Sequence, residues 1–255
     1  MISDFIEILI LSLVQGVSEF IPVSSSAHLY LISNIYEFNN SSLKIDISLH
    51  LGSLLAIIFY FRKDLIDFYK NKELATLIIL GSLPLILFGF FIYKSGLINV
   101  FRDLKFISWT TLIFAIALYL SDRCKINKSF NKHLSLRNIF IIGVFQMLAL
   151  IPGVSRSGIV ITTGRFLNFD RVDSSKISFF LSIPALAGAS VLGLKNMVIE
   201  TFELNIFIIL SIILSFIFSF FTIKYFLIYV KKFSLNIFVY YRLFLAFVLF
   251  IIAYS

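Results

Sequence analysis

Two long apolar stretches of this chain are each broken in the middle by a short polar run, and these breaks constrain the fold more than any other feature. One stretch extends from Ile2 to Ile35 and is interrupted at Pro22-Val-Ser-Ser-Ser26. The other extends from Asn138 to Leu167 and is interrupted at Pro152-Gly-Val-Ser-Arg-Ser-Gly158. A hydrocarbon core about 30 Å thick needs about 20 apolar residues of helix. Each half of a broken stretch is too short for that. A polar, proline-containing break at membrane depth is tolerated only where protein buries it or it lines a wet cavity. Both stretches therefore read as re-entrant helix–break–helix hairpins.

The solvent implied is lipid. Of 255 residues, 59% are hydrophobic, 14% are charged and 31 are Phe, whereas soluble domains carry about a quarter charged residues. One core could not hide so much apolar surface. A soluble domain, a disordered chain and a nucleic-acid-binding module are excluded. The formal charge of +8 then reads as a topology signal. A single cysteine, Cys124, allows neither an intramolecular disulfide nor a cysteine metal cluster. The first apolar stretch lacks the basic leader and small-residue cleavage site of a secretory signal.

Six further segments approach spanning length: Ile47–Phe61, Leu74–Tyr93, Phe106–Leu120, Ile177–Leu194, Ile206–Ile223 and Ile237–Tyr254. Loops at 62–73, 122–137, 165–176 and 224–236 carry 15 Lys and Arg, against 5 in loops at 34–46, 94–105 and 195–205. If the first set is cytoplasmic, the six spans alternate correctly. The second hairpin then enters and leaves on the cytoplasmic side, and the first on the outside. Trp109, the tyrosines near span ends and Arg242 fit interfacial anchoring. Gly81, Pro84, Gly89, Pro184, Gly188 and Gly193 read as close helix packing or kinks.

The two breaks resemble each other. Phe20-Ile-Pro-Val-Ser-Ser-Ser26 matches Leu150-Ile-Pro-Gly-Val-Ser-Arg-Ser157 with one inserted residue, and Ile47-Ser-Leu-His-Leu51 resembles Ile177-Ser-Phe-Phe-Leu181. With opposite entry sides, this is the pattern of an inverted-topology repeat whose breaks meet near the midplane. The expected fold is an all-α polytopic membrane protein with six transmembrane helices and two re-entrant helix hairpins. It forms one integral membrane domain over 1–255, with repeats at approximately 1–120 and 138–255.

Glu19 is the acid placed within an apolar helix away from a loop, and Arg156 is the basic residue inside a break. A charge at bilayer depth costs about 2.5–3.5 kcal/mol on insertion scales. The plainest account is a structural ion pair joining the repeats; the other is a functional site. Ser24, Ser25 and Ser26 begin one half-helix, and Ser155, Arg156, Ser157 and Gly158 begin the other. Each serine alone reads as a helix cap. Two helix N-termini with several hydroxyls and one guanidinium together make a site for a phosphate-like anion. Gln15 lies four residues before Glu19, on the same helix face. Glu19 can ligate a divalent cation or serve as general base toward a serine. Gln15 can supply a ligand oxygen or orient water. His28 follows Ser24 by four residues and is either catalytic or a packing residue. His50 either lines the cavity mouth or is interfacial, and His133 sits in a basic loop.

The runs Gln15-Gly-Val-Ser-Glu-Phe-Ile-Pro-Val-Ser-Ser-Ser-Ala-His28 and Pro152-Gly-Val-Ser-Arg-Ser-Gly158, with His50-Leu-Gly-Ser-Leu-Leu-Ala56, resemble the undecaprenyl-diphosphatase or bacitracin-resistance family over essentially the whole chain. The resemblance implies a multi-pass enzyme of the bacterial inner membrane, opening to the outer or periplasmic side. It would hydrolyse undecaprenyl diphosphate to undecaprenyl phosphate and inorganic phosphate, recycling the carrier for peptidoglycan synthesis. The family's acidic pair falls on Gln15 and Glu19, its serine run and histidine on Ser24, Ser25, Ser26 and His28, and its arginine on Arg156. Gln at the first acidic position departs from schemes with two carboxylates on one metal, and Ala27 stands where Gly is common.

On this reading Glu19, Ser25, His28 and Arg156 are catalytic, and Gln15, Ser24, Ser26, Ser155, Ser157 and Gly158 bind the diphosphate. Glu19 is the candidate ligand for Mg²⁺ or Ca²⁺. Ser25, activated by Glu19 or His28, attacks phosphorus; alternatively water attacks with Glu19 as base. The expected partners are a polyprenyl diphosphate and membrane lipid, with a homodimer left open and no organic cofactor. The rival class is a transporter or flippase of a lipid phosphate or small anion, because the same architecture serves both.

Overall fold

The computed structural model describes residues 2–35, 43–70, 72–95, 103–199 and 206–254. Most of the three loops expected on the outer side lies outside the described residues. Those described are helical, apart from turns, short connections and an isolated bridge between Lys128 and Phe169. In chain order the helices are α1 (Ile2–Ser18), α2 (Ser25–Ile35), α3 (Leu43–Tyr60), α4 (Arg62–Lys70), α5 (Lys72–Ser95) and α6 (Leu104–Asp122). There follow α7 (Phe130–His133), α8 (Leu136–Gln146) with a 3-10 turn at Met147–Leu150, α9 (Arg156–Phe166), α10 (Arg171–Ile199), α11 (Ile206–Lys232) and α12 (Asn236–Tyr254).

Five of these are long and apolar enough to cross a membrane: α5, α6, α10, α11 and α12. The chain is accordingly a multi-pass membrane protein. The segment expected as a further span at Ile47–Phe61 is helical as α3, but α3 is not among the five; Lys44, Asp46 and His50 occupy its first half. Three of the four basic stretches expected as loops are largely helix, that at 165–176 holding the end of α9 and the start of α10. Residues 62–70 form α4, and α11 continues to Lys232, where Lys231 and Lys232 complement the negative end of its dipole.

Both stretches stop where expected, and the reason is not proline alone. Helices α5 and α10 run straight through Pro84 and Pro184. At the breaks, backbone leaves the right-handed region altogether: Ser24 has φ 77°, Gly153 φ 90° and Ser155 φ 69°. Helices α2, α8 and α9 have 11 residues each, about 17 Å at 1.5 Å per residue, and none is a span by itself.

Each broken stretch packs on helices from the other half of the chain: α1 lies on α11, and α8 on α5. Bare backbone permits the close approaches. A Cβ on Gly143 would stand 2.2 Å from the Gly81 carbonyl oxygen, and one on Gly52 would stand 2.4 Å from that of Ile212. Gly193 is equally crowded by Ile47, whereas Gly188 faces open space, so close packing was not its role. Ser53 hydrogen-bonds Ser215 at 3.1 Å and Ser219 at 2.9 Å between α3 and α11, polar contacts that hold helices together without a hydrophobic drive. Phe20, in the first break, meets Phe179 of α10 edge-on with ring centroids 5.6 Å apart, so the apolar core joins the halves. Apolar side chains such as Leu87, Phe91, Phe244 and Phe247 stay exposed on the outside, as a lipid solvent allows.

One end of the bundle is tied by an unexpected ionic knot. Asp122, at the end of α6, accepts from Arg171 Nε at 2.6 Å and from the Leu235 backbone at 3.0 Å. Arg165, fully buried, lies 3.6 Å from the same carboxylate and donates to the Cys124 carbonyl at 2.8 Å. Arg165 and Arg171 were expected to report only topology; here they fasten α6, α9, α10 and α12 together.

Candidate active site

The two breaks come together, and Glu19 and Arg156 meet there. Arg156 Nη2 donates to Glu19 Oε1 at 3.0 Å, with both side chains largely buried. Glu19 is the first residue past α1, its N–H still bonded to the Gln15 carbonyl at 3.0 Å. The end of the helix thus aims the carboxylate at the break. Its other oxygen accepts from Gln15 Nε2 at 3.0 Å and from Ser25 Oγ at 3.2 Å. Arg156 opens α9, and its Nη1 donates to the Ser178 carbonyl of α10 at 3.2 Å.

The serines divide their tasks. Ser155 caps α9: its Oγ accepts from the Gly158 N–H at 3.1 Å. Ser157 Oγ donates to the Ile21 carbonyl at 2.8 Å and so bolts the second break to the first. Ser24 and Ser155 adopt the left-handed backbone immediately before α2 and α9. For a residue other than glycine this costs about 1–3 kcal/mol, and such strain gathers at functional sites. The side chain of Ser26 lies outside the described residues.

Ser24, Ser25, Glu19, Ser155 and Arg156 line part of a cavity of about 220 Å³. The rest of its wall is apolar and comes from other elements: Leu85 of α5, Leu150 of the 3-10 turn, and Ala185 and Ala189 of α10. Ser157 and Gly158 stand behind this surface, shaping the α9 terminus. A larger groove of about 630 Å³ between α5 and α8 is lined by apolar groups with Arg137 alone charged, and it has no acid or hydroxyl to do chemistry.

His28 is placed differently from the serine hydroxyls it was grouped with. Its Nδ1 donates to the Ser24 carbonyl at 2.6 Å, and its Nε2 meets the Tyr241 hydroxyl at 2.5 Å with the two rings stacked. Both ring nitrogens serve the backbone of the break and α12. His50, by contrast, reaches the site: its Nδ1 lies 2.9 Å from Gln15 Nε2.

Arg242 is not the interfacial anchor expected. It is fully buried, and its guanidinium donates to the carbonyls of Gly153 at 2.9 Å and Val154 at 3.1 Å, with Pro22 and Thr111 at 3.5 Å. The carbonyls of Pro22, Gly153 and Val154 lie in the breaks, outside the helices, and one cation gathers them from both breaks while also reaching Thr111 of α6. Nothing local in the sequence of α12 distinguishes this arginine from a headgroup anchor. Nor was Glu19 alone in its helix: Glu7 of α1 is also buried. Gln146 is likewise fully buried, six residues before Pro152 as Gln15 is seven before Pro22, a parallel between the repeats carried only by that spacing.

A left-handed turn before a helix leaves N–H groups free at the helix start. Two such starts, a guanidinium, a hydroxyl against a carboxylate and an apolar wall suit an amphiphile with a phosphate-like head. The chain matches the family described as bacitracin resistance protein BacA over residues 8–248. It is 57% identical over 256 residues to the undecaprenyl-diphosphatase of Pelagibacter ubique, covering 100% of both chains. It is 38% identical over 232 residues to that of Elusimicrobium minutum, covering 88% of each, and 35% identical over 238 residues to that of Alcanivorax borkumensis, covering 88% of this chain and 89% of the relative.

Proposed function

The chain belongs to the BacA bacitracin-resistance family, and from that premise we propose that it is an integral membrane phosphatase hydrolysing undecaprenyl diphosphate to undecaprenyl phosphate and inorganic phosphate. The observation that carries this reading is the Ser25 hydroxyl, held 3.2 Å from a Glu19 oxygen while Arg156 holds the other at 3.0 Å. That is hydrogen-bond reach for a nucleophile and its base.

Ser25 Oγ attacks the terminal phosphorus and its proton passes to Glu19. The bond from that phosphorus to the bridging oxygen breaks, and undecaprenyl phosphate leaves with the electron pair. Glu19 releases that proton to the departing lipid phosphate; water then attacks the phosphoserine and passes a proton to Glu19, which hands it to the serine oxygen as the bond from phosphorus to that oxygen breaks and inorganic phosphate is released. Arg156 and the N–H groups opening α2 and α9 face the oxygens on which charge spreads. His28 holds the Ser24 carbonyl and so sets the turn that presents Ser25. Leu85, Leu150, Ala185 and Ala189 receive the first isoprene units.

Among the described residues no three His, Cys, Asp or Glu gather to hold a metal. The buried Oε1 of Gln15, which has no hydrogen-bond partner, and the Glu19 carboxylate fit a Mg²⁺ or Ca²⁺ held mostly by phosphate oxygens. Bound so, the cation would neutralise charge on the diphosphate.

In this reading α3 joins the five long helices as a sixth crossing, and the α1–α2 and α8–α9 pairs are re-entrant hairpins of an inverted repeat. The excess of Lys and Arg on one set of connections puts the first hairpin, and the mouth of the site, on the outer side. Support comes from the matching left-handed serines and the packing of each hairpin on the other half. The test is purified protein in detergent with undecaprenyl diphosphate, scored for phosphate with and without a divalent cation. Release supports the phosphatase. No release, with lipid phosphate crossing liposome bilayers, would replace it with a flippase.

A further inference from the structure

The Gln15 amide is held in an orientation that does not serve its own hydrogen bonding. Its Nε2 donates to Glu19 Oε2 at 3.0 Å and lies 2.9 Å from His50 Nδ1, while its Oε1 is buried with no hydrogen-bond partner. The reverse orientation would turn the amide oxygen onto the Glu19 carboxylate, acceptor against acceptor. The carboxylate therefore selects the N–H₂ face. The same N–H₂ group then meets His50, and only a ring nitrogen with a free lone pair can receive it. His50 comes from α3 and Gln15 from α1, so the contact ties the acid to a separate helix. Helix α3 is itself fixed on α11 by Ser53 with Ser215 and Ser219 and by the close approach at Gly52.

We propose that His50 is a positioning residue for the hydrolysis: its Nδ1 lone pair locks the Gln15 amide, and the amide holds the Glu19 carboxylate at the angle that receives the Ser25 proton. The proposal rests on the phosphatase reading above. A second carboxylate at position 15 could take a proton; an amide cannot, and its N–H₂ group, bound to both Glu19 and His50, transmits position while its Oε1 stays available as a ligand. His50 and Glu19 share the Gln15 Nε2 group, and His50 acts on the carboxylate through it.

A mere packing role and this relay predict different results for four proteins assayed on undecaprenyl diphosphate: wild type, His50→Ala, His50→Asn and Gln15→Leu, with the His50→Ala/Gln15→Leu double variant closing the cycle. Asn places its Oδ1 where histidine has Nδ1 and so keeps an acceptor. The expected result is a kcat about tenfold lower for His50→Ala with KM within about twofold, and recovery to within about threefold of wild type for His50→Asn. In the Gln15→Leu background His50→Ala should cost no further activity, because the relay is already cut. Full kcat in His50→Ala, an Asn variant as slow as Ala, or losses that multiply in the double variant would each overturn the relay while leaving the phosphatase intact. A wild type that releases no phosphate would remove both.

Discussion

Ser24 and Ser155 occupy the same left-handed backbone region, with φ 77° and 69°, each directly before the helix that follows its break. A serine there has no conformational advantage over glycine. At position 155 the side chain offsets the strain, because Ser155 Oγ caps α9. Glycine at position 155 should relieve strain and lose the cap, two effects of about 1 kcal/mol that nearly cancel. Valine at position 155 should lose the cap and deepen the strain, destabilising by about 2–4 kcal/mol. Thermal unfolding of both variants in detergent checks this; equal stability of the valine and glycine proteins would show that the left-handed turn is not held in the native state.

The Glu19–Arg156 pair predicts an asymmetry between single and double changes. Arg156→Ala leaves a buried carboxylate without its countercharge, which costs about 3–5 kcal/mol. The double variant Glu19→Gln/Arg156→Met removes both charges and should unfold later than Arg156→Ala alone. Phosphate release should be lost in both, by at least about a hundredfold. Stability read by thermal denaturation and turnover read by phosphate release therefore move independently. A double variant less stable than the single one would show that the pair is not mutually compensating.

Helix contacts supply a prediction of opposite signs at two glycines. Alanine at Gly143 would put a Cβ 2.2 Å from the Gly81 carbonyl oxygen, backbone against backbone. Neither helix has a flexible side chain there to yield, and overpacking of this kind costs about 1–3 kcal/mol. Alanine at Gly188 meets nothing within 4 Å and should leave stability unchanged or raise it by up to about 1 kcal/mol, the helix-propensity gain. Melting temperatures of the two alanine variants give the sign directly.

What the chain revealed in advance follows from the range of the forces involved. The breaks at Pro22 and Pro152, the helices between them and the pairing of Glu19 with Arg156 were legible, because proline, apolar run length and isolated charge are local signals. The count of spans was less so. Residues Lys44, Asp46 and His50 make α3 ambiguous on composition, and its burial against α11 is a tertiary fact. Spacing along α2 brought His28 near Ser25, but a partner 213 residues away, Tyr241, turned its ring aside. Arg165 and Arg171 looked like topology markers because nothing in a sequence says that Asp122 will stand beside them.

Arg242 is the sharpest case of such a long-range fact, and it carries the last prediction. Its two terminal nitrogens serve four carbonyls, from Pro22 of one break, Gly153 and Val154 of the other, and Thr111 of α6. The three from the breaks lie where the chain has left helical geometry, so without the guanidinium they would be buried acceptors with fewer donors. Hydrogen bonds from a charged donor are worth about 1.5–3 kcal/mol each, and the two shorter ones set the scale. Arg242→Met should therefore lower unfolding free energy by about 3 kcal/mol or more. Lysine keeps the charge but brings one compact ammonium in place of a planar fork, and it cannot span carbonyls from both breaks. Arg242→Lys should stay folded yet release phosphate at least about tenfold more slowly, because the relative placement of Ser25 and Arg156 depends on both breaks being held together. A lysine variant with wild-type turnover would mean that charge alone, rather than the bridging geometry, is what the breaks require from α12.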